Sequence, residues 1–293
     1  MARVTETDQD RCLREALAEE TGRDLGPAGK APVSGGCIHR AWILEGPGGS
    51  AFVKANVGSC LPMFEAERDG LRDLAAAGVI RVPEPWLAAR IRDEAFLVME
   101  RLQLGGPEDG ERQGRELAAL HRRVTADGRH GWYRDNFIGK TPQPNLWTVD
   151  WGEFFAEHRI EHQLRLHRAA GNTFRGAGRF VDRLPTLVGE HRPVASLVHG
   201  DLWGGNAGFD ASGAPVLFDP AVYFGDRETD LAFTRMFGGF GEAFYRTYRE
   251  TWPLPDGWRD REPLYNLYHV LNHALLFGGS YGIEAQRLVD RFG

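Results

Sequence analysis

The sequence predicts an α+β protein of two lobes: a small β-rich N-terminal lobe over residues 1–102 and a larger, mainly helical C-terminal lobe over 103–293. Three observations carry this. Before residue 103, the β-like runs AWILE and AFVKAN are joined by the turn signal GPGG, and two further strand-like runs follow near 86–91 and 95–101. After LGGPEDG, apolar residues recur at helical spacing almost to the end of the chain. Finally, 293 residues with 42% hydrophobic and 26% charged side chains suffice for two lobes and a sizeable core.

In chain order, a polar-capped helix is expected over 8–20, followed by the glycine-rich turn SGGC and the AWILE/AFVKAN hairpin. The segment PMFEAERDGLRDLAAAG has proline near its start, apolar residues three and four apart and glycine at its end, which predicts a helix over 61–77. In the second lobe, helices are expected at 111–123, 151–169, 227–237, 241–251 and 264–277, interrupted by a polar loop near residue 200.

Composition excludes several functions. A formal net charge of −6 leaves no broad basic footprint, so nucleic acid is not an expected partner. No signal-peptide core and no membrane-length apolar run is present, so a cytoplasmic protein without a membrane partner is expected. Cys12, Cys37 and Cys60 form no CxxC pair and read as reduced thiols.

Three motif matches are weighed and set aside. Gly139-Lys140-Thr141 imitates the end of a phosphate loop, but Arg134 stands where its first glycine is required. His158-Arg159-Ile160-Glu161-His162 fits the HxxEH zinc pattern, yet its segment reads as an amphipathic, solvated helix with charges outward. His269 and His273 lie one turn apart without a nearby glutamate and read as polar residues packed on a helix.

The stretch LVHGDLWGGNAGFDASGAPVLFDP is more informative. Phosphoryl transfer needs a carboxylate to orient and deprotonate the attacking hydroxyl, and oxygen ligands for Mg²⁺ to neutralise the triphosphate. Asp201 and Asn206 have the D-x-x-x-x-N spacing of a kinase catalytic loop, and Asp219 stands where a metal-binding aspartate would follow. Singly, each residue could serve a turn; as a set they point to phosphotransfer.

The first lobe supplies the matching parts. Lys54 lies on a strand after a glycine-rich turn, where a lysine can reach nucleotide phosphates if a helix carboxylate holds it. Glu67 is the preferred partner because it lies one turn before the apolar positions Leu71 and Leu74, and Glu65 is the alternative. Gly35 and Gly36 would let the loop approach ATP closely. FLVMERL resembles the connector between kinase lobes, where the backbone of Met99, Glu100 and Leu102 would meet adenine; the alternative is a plain core strand.

With GGCI, FVKAN with MFEAE, DNFIGKTPQPN followed by DWGEFF, HGDLWGGN, DPAVYFGDRETDLA, MFGGF and LYNLYHVLNH, the chain resembles the fructosamine kinase (ketosamine-3-kinase) family. That family lies within the aminoglycoside-phosphotransferase-like branch of the protein-kinase-like fold. HGD-x-x-x-x-N marks only the wider phosphotransferase group, whereas DPAVYFGDRE with the long middle segment points to this family. One departure is Gly204-Gly205 after HGDLW, where related sequences often place a serine first.

The resemblance implies ATP-dependent phosphorylation of the sugar 3-hydroxyl of a ketoamine, on a small molecule or a glycated protein lysine, which promotes deglycation. Asp201 would be the base; Asn206 and Asp219 would hold Mg²⁺; Lys54, oriented by Glu67, would bind the ATP phosphates. His199 would pack and hydrogen-bond, Asp230 would brace the catalytic loop through its backbone, and Trp203 would wall the acceptor site or pack beneath the loop. Cys37, in the loop over the phosphates and often cysteine in related sequences, is either a redox-sensitive thiol or a small packing residue. A phosphotransferase for another small hydroxylated amine, such as an aminoglycoside, and a non-catalytic nucleotide-binding module are the alternatives.

Overall fold

A computed structural model describes residues 7–33, 38–188 and 191–293. The chain forms two compact units, the first running to Pro107 and including Phe209–Phe218, the second comprising Glu108–Gly208 and Asp219–Gly293.

The first unit opens with α1 (Asp8–Thr21), held by a reciprocal cap: Thr7 Oγ1 accepts from Asp10 N, and the Asp10 carboxylate accepts from Thr7 N. An antiparallel sheet follows, built from β1 (Gly29–Pro32), β2 (Arg40–Gly46), β3 (Gly49–Val57), β4 (Pro85–Ile91) and β5 (Glu94–Glu100), in the order β1-β2-β3-β5-β4. Strand alternation divides its faces. Ala51, Val53 and Ala55 of β3 enter a core with Leu13 and Leu17 of α1, Trp42 and Leu44 of β2, and Phe96 and Val98 of β5. Lys54, between them in sequence, belongs to the opposite face. Helix α2 (Leu61–Ala77) packs on β4 and β5; proline stands in its first turn and Gly78 ends it in a left-handed conformation.

The hairpin β9 (Ala207–Phe209) and β10 (Pro215–Leu217) explains why residues from beyond 200 belong to the first unit. Gly105 N donates to Phe209 O, Ala211 N donates to Gln103 O, and the Arg81 guanidinium reaches Asp210 at 2.6 Å. Residues 103–107 are tied to this returning segment and group with the first unit.

The second unit contains α3 (Gly110–His121), the short hairpin β6 (Asn136–Ile138) and β7 (Thr141–Gln143), and a helical run from Trp151. That run consists of α4 (Trp151–Phe154), a π-helical stretch (Phe155–Glu161) and α5 (His162–Ala169). There follow α6 (Ala177–Val188), β8 (Ser196–Val198), β11 (Tyr223–Gly225), α7 (Glu228–Thr234), α8 (Glu242–Thr251), α9 (Trp258–Phe277) and α10 (Ser280–Phe292). Helix α3 packs closely on α8: a Cβ on Gly114 would lie 2.4 Å from Phe244 O. Helices α7 and α10 pack on α9.

The helical run from Trp151 departs from the solvated helix the sequence suggested. Phe154, Phe155 and Ile160 are buried as expected of an apolar face, but so are His158, Arg159, Gln163 and His167. Arg159 is fully buried because its guanidinium lies 4.0 Å from the centre of the Tyr223 ring and donates to Pro144 O and Asn145 Oδ1. No helix among the described residues is long and apolar enough to cross a membrane.

Candidate active site

In the first unit, the strand and helix flanking Lys54 give it a partner. Lys54 is buried on β3, and its Nζ donates to Glu67 Oε1 of α2 at 2.6 Å. Phe64, Leu71 and Leu74 seat α2 against the sheet, which turns Glu67 rather than Glu65 towards the lysine. A buried ammonium requires a counter-charge at hydrogen-bonding distance, and this pair supplies it. Met99 and Glu100 end β5 and Leu102 follows it. The Glu100 carboxylate accepts from Arg81 at 2.6 Å and from Glu84 N at 3.3 Å. Gly35, Gly36 and Cys37 lie outside the described residues, whereas Cys12 and Cys60 are free thiols.

In the second unit, β8 and β11 pair antiparallel, with Val198 opposite Tyr223, and so hold together the loop that follows one strand and the segment that precedes the other. Asp230 of α7 anchors that loop by accepting from His199 N at 2.7 Å and Gly200 N at 2.9 Å. The same carboxylate meets His121 Nε2 at 3.1 Å, and His121 Nδ1 meets the Tyr248 hydroxyl at 2.8 Å. Burial would raise the Asp230 pKa, but the bond to His121 and the N–H of Gly200 outweigh it and hold the carboxyl below its usual range. Gly200 is obligatory: its φ is +81°, and a Cβ there would lie 2.0 Å from Ala221 O.

Asn206 joins the two aspartates. Its Nδ2 donates to Asp201 O at 2.8 Å and to Asp201 Oδ2 at 3.0 Å, and lies 3.5 Å from Asp219 O. Burial, then the charge of Asp219, push the Asp201 carboxyl up to about 7 against the Asn206 bond. Asp219 has φ +58°, a left-handed conformation uncommon outside glycine and a mark of strained functional positions. His199 is fully buried, and its Nδ1 accepts from Asp201 N at 3.3 Å.

Trp203 is 37% exposed, with its ring edge-on to Phe237 at 5.7 Å. Phe237 in turn meets His273, and His273 meets Phe277, so aromatic rings run from the loop to the end of α9. The two glycines after Trp203 differ. A Cβ on Gly204 meets nothing, so a serine fits there; on Gly205 it would lie 2.3 Å from the Trp203 ring.

The set-aside motifs have other employment. Gly139 and Lys140 form the turn between β6 and β7. His158 Nε2 meets Thr148 Oγ1 at 3.3 Å and His162 Nε2 meets Pro142 O at 2.8 Å, so the two rings serve separate partners. His269 stacks on Phe233 with centroids 3.5 Å apart. Among the described residues, the one group spaced to hold a metal through His, Cys, Asp or Glu is His191, Asp226 and Glu228. Its charges are met internally: His191 bonds Asp226 at 2.7 Å, and Arg261 bonds both oxygens of Glu228. His121 was not legible as part of the site; it is 109 positions from Asp230 and carries no motif.

The donor set at the second-unit loop is chemically suited to Mg²⁺. Asn206 and Asp219 offer oxygen ligands, and the crowded carboxylates of Asp201 and Asp219 favour a nearby divalent cation.

Comparison with known proteins agrees with this geometry. The family model described as fructosamine kinase matches residues 10–292. A probable ketoamine kinase of Synechocystis sp. is 43% identical, covering 95% of each chain. A chloroplastic protein-ribulosamine 3-kinase of Oryza sativa subsp. indica is 38% identical over 96% of this chain and 83% of its own. The crystal structure of a protein provisionally named fructosamine-3-kinase, from Haemophilus somnus, superposes with a TM-score of 0.89 at 30% identity, covering 96% of both chains. An aminoglycoside phosphotransferase bound to ADP and hygromycin B shares the fold, with a TM-score of 0.61 at 17% identity over 96% of this chain and 97% of its own. With the protein-kinase-like fold, the aspartate–asparagine loop and a family match across nearly its whole length, this chain belongs to the fructosamine kinase family.

Proposed function

We propose that this protein is an ATP-dependent kinase that phosphorylates the 3-hydroxyl of the sugar in ketoamines, carried by a small amine or a protein lysine. The observation that carries the reading is the Asn206 amide spanning Asp201 and Asp219, on a loop anchored by Asp230.

Asp201 accepts the proton of the attacking hydroxyl, and its raised pKa keeps it basic enough near neutrality to do so. Asn206 and Asp219 hold Mg²⁺, which neutralises charge on the transferring phosphoryl group. A cation on Asp219 also offsets the like charge that raises Asp201, favouring the carboxylate form. Lys54, held by Glu67, binds nucleotide phosphates. Backbone groups from Met99 to Leu102 meet adenine, and Trp203 offers an apolar ring to the acceptor, where a protonated amine gains cation–π attraction.

ATP consumption measured across fructosyl, ribulosyl and erythrulosyl amines, with an aminoglycoside in the same panel, tests the reading. Turnover of a ketoamine with one phosphate added to the sugar by mass spectrometry is expected. Phosphorylation of the aminoglycoside with none of the ketoamines would reject it.

A further inference from the structure

The segment DNFIGKTPQPN forms the β6–β7 hairpin, and its buried polar side chains are directed at the backbone that follows Asp219. Residues 220–222 are buried before β11 begins, so their carbonyls need partners from elsewhere. Asn136 Nδ2 donates to Val222 O at 2.7 Å, and Gln143 Nε2 donates to Ala221 O at 3.0 Å. Gln143 Nε2 also donates to Asn136 Oδ1 at 2.7 Å, and its Oε1 accepts from the Tyr268 hydroxyl at 2.8 Å. Asn145 Nδ2 donates to the same Asn136 oxygen at 2.9 Å, and Arg159 donates to Asn145 Oδ1 at 2.8 Å. Asn136, Gln143, Asn145 and Arg159 are at most 3% exposed, so these bonds are shielded from competing water.

The carbonyl held by Gln143 is the one against which Gly200 packs, and Ala221 N donates back to His199 O at 2.9 Å. One side-chain amide therefore touches the junction of two chain segments, one leading into Asp201 and the other leaving Asp219. Asp219 is also the residue whose left-handed φ must be imposed by its surroundings.

We propose that Asn136 and Gln143 are positioning residues for the metal ligand Asp219 and, through Gly200, for Asp201, with Asn145, Arg159 and Tyr268 fixing the two amides. This rests on the reading of Asp219 as a Mg²⁺ ligand. The amides touch neither substrate nor metal; they set where Asp219 stands. Residues that orient a metal ligand without touching the metal typically change its affinity about 10- to 100-fold.

The test measures Mn²⁺ binding by electron paramagnetic resonance in the full chain with a non-hydrolysable ATP analogue and no acceptor, alongside the Mg²⁺ concentration needed for half-maximal ATP turnover. Gln143→Met keeps the volume and removes the donors; it is expected to weaken Mn²⁺ about 10- to 100-fold and raise the Mg²⁺ requirement in parallel. Tyr268→Phe removes only the hydroxyl that orients the amide; it should act in the same direction by a smaller factor, and it decides the matter if Gln143→Met does not fold. Leu184→Ala, a buried change at a side chain that makes none of these hydrogen bonds, controls for destabilisation and should leave Mn²⁺ affinity unchanged. Unchanged affinity in Gln143→Met and Tyr268→Phe, or an equal loss in Leu184→Ala, overturns the proposal while Asp219→Ala still weakens the metal. If Asp219→Ala itself leaves Mn²⁺ binding intact, the metal assignment falls and the proposal with it.

Discussion

The two units treat their functional charges in opposite ways. In the first, Lys54 and Glu67 neutralise each other inside a packed face of the sheet, so attraction sets the geometry. In the second, Asp201 and Asp219 repel, and desolvation of the Asp201 carboxyl adds to the rise in its pKa. Neutral donors hold the backbone around them: the Asn206 amide, the N–H groups anchored on Asp230, and the hairpin amides behind Ala221 and Val222. A pair held by attraction is disrupted by removing either member, whereas removing one of two like charges relieves the other.

The largest effect expected is kinetic. Asp201→Asn keeps the shape but removes the base, and should lower turnover by about 10²–10⁴ while far-ultraviolet circular dichroism and binding of the ATP analogue are retained. Near-normal turnover in the folded variant would remove Asp201 from the mechanism. Next, Glu67→Ala breaks a buried ion pair, at a cost of about 3 kcal/mol in urea unfolding. Its activity loss should be the same for every acceptor, because Lys54 acts on the nucleotide. A loss confined to one ketoamine would contradict that.

Acid should distinguish the units by a further step. Burial lowers the His130 pKa to about 4 and the His269 pKa to about 3, both in the second unit. A folded-state pKa below the unfolded value means that the stability is present above about 6.5 and is lost as the pH falls towards the folded value. For His130 this loss is about 2 kcal/mol between neutrality and roughly pH 5. Hydrogen exchange at the two pH values should show the loss in the second unit, and His130→Phe should flatten the slope.

The smallest effect has the opposite sign. Asp219→Gly removes the left-handed strain, and should stabilise the protein by about 1 kcal/mol while abolishing Mg²⁺-dependent turnover. A destabilised variant would show that Asp219 is not strained in its setting.

These contrasts were unequally legible in the sequence. Helix α2 matches its expected span of 61–77 because proline and glycine mark its ends locally. The lysine–glutamate pair was partly legible: the apolar face of α2 favoured Glu67 and left Glu65 open, and Glu67 is the partner. Asp201, Asn206 and Asp219 were legible through spacing alone, since a single loop and its return carry them. The burial of Arg159 was not: nothing local distinguishes a solvated arginine from one that donates to Asn145 and lies over Tyr223. The β6–β7 hairpin was missed because its strands have three residues each and are too short for alternation to register. Helix α6 contains Pro185 and α10 follows a glycine pair, both of which mask helical periodicity.

The returning hairpin has a consequence for biosynthesis. The five strands of the first sheet have all been synthesised by residue 100, but Phe209–Phe218, which belongs to the same unit, follows about a hundred residues later. Until then Arg81 lacks Asp210, and the carbonyl that accepts from Leu217 has no such partner. The N-terminal unit therefore cannot be finished as a nascent domain. Its last pieces come with the segment between Asn206 and Asp219, so completion of the first unit and synthesis of the Asp201–Asp219 stretch fall in the same interval of translation.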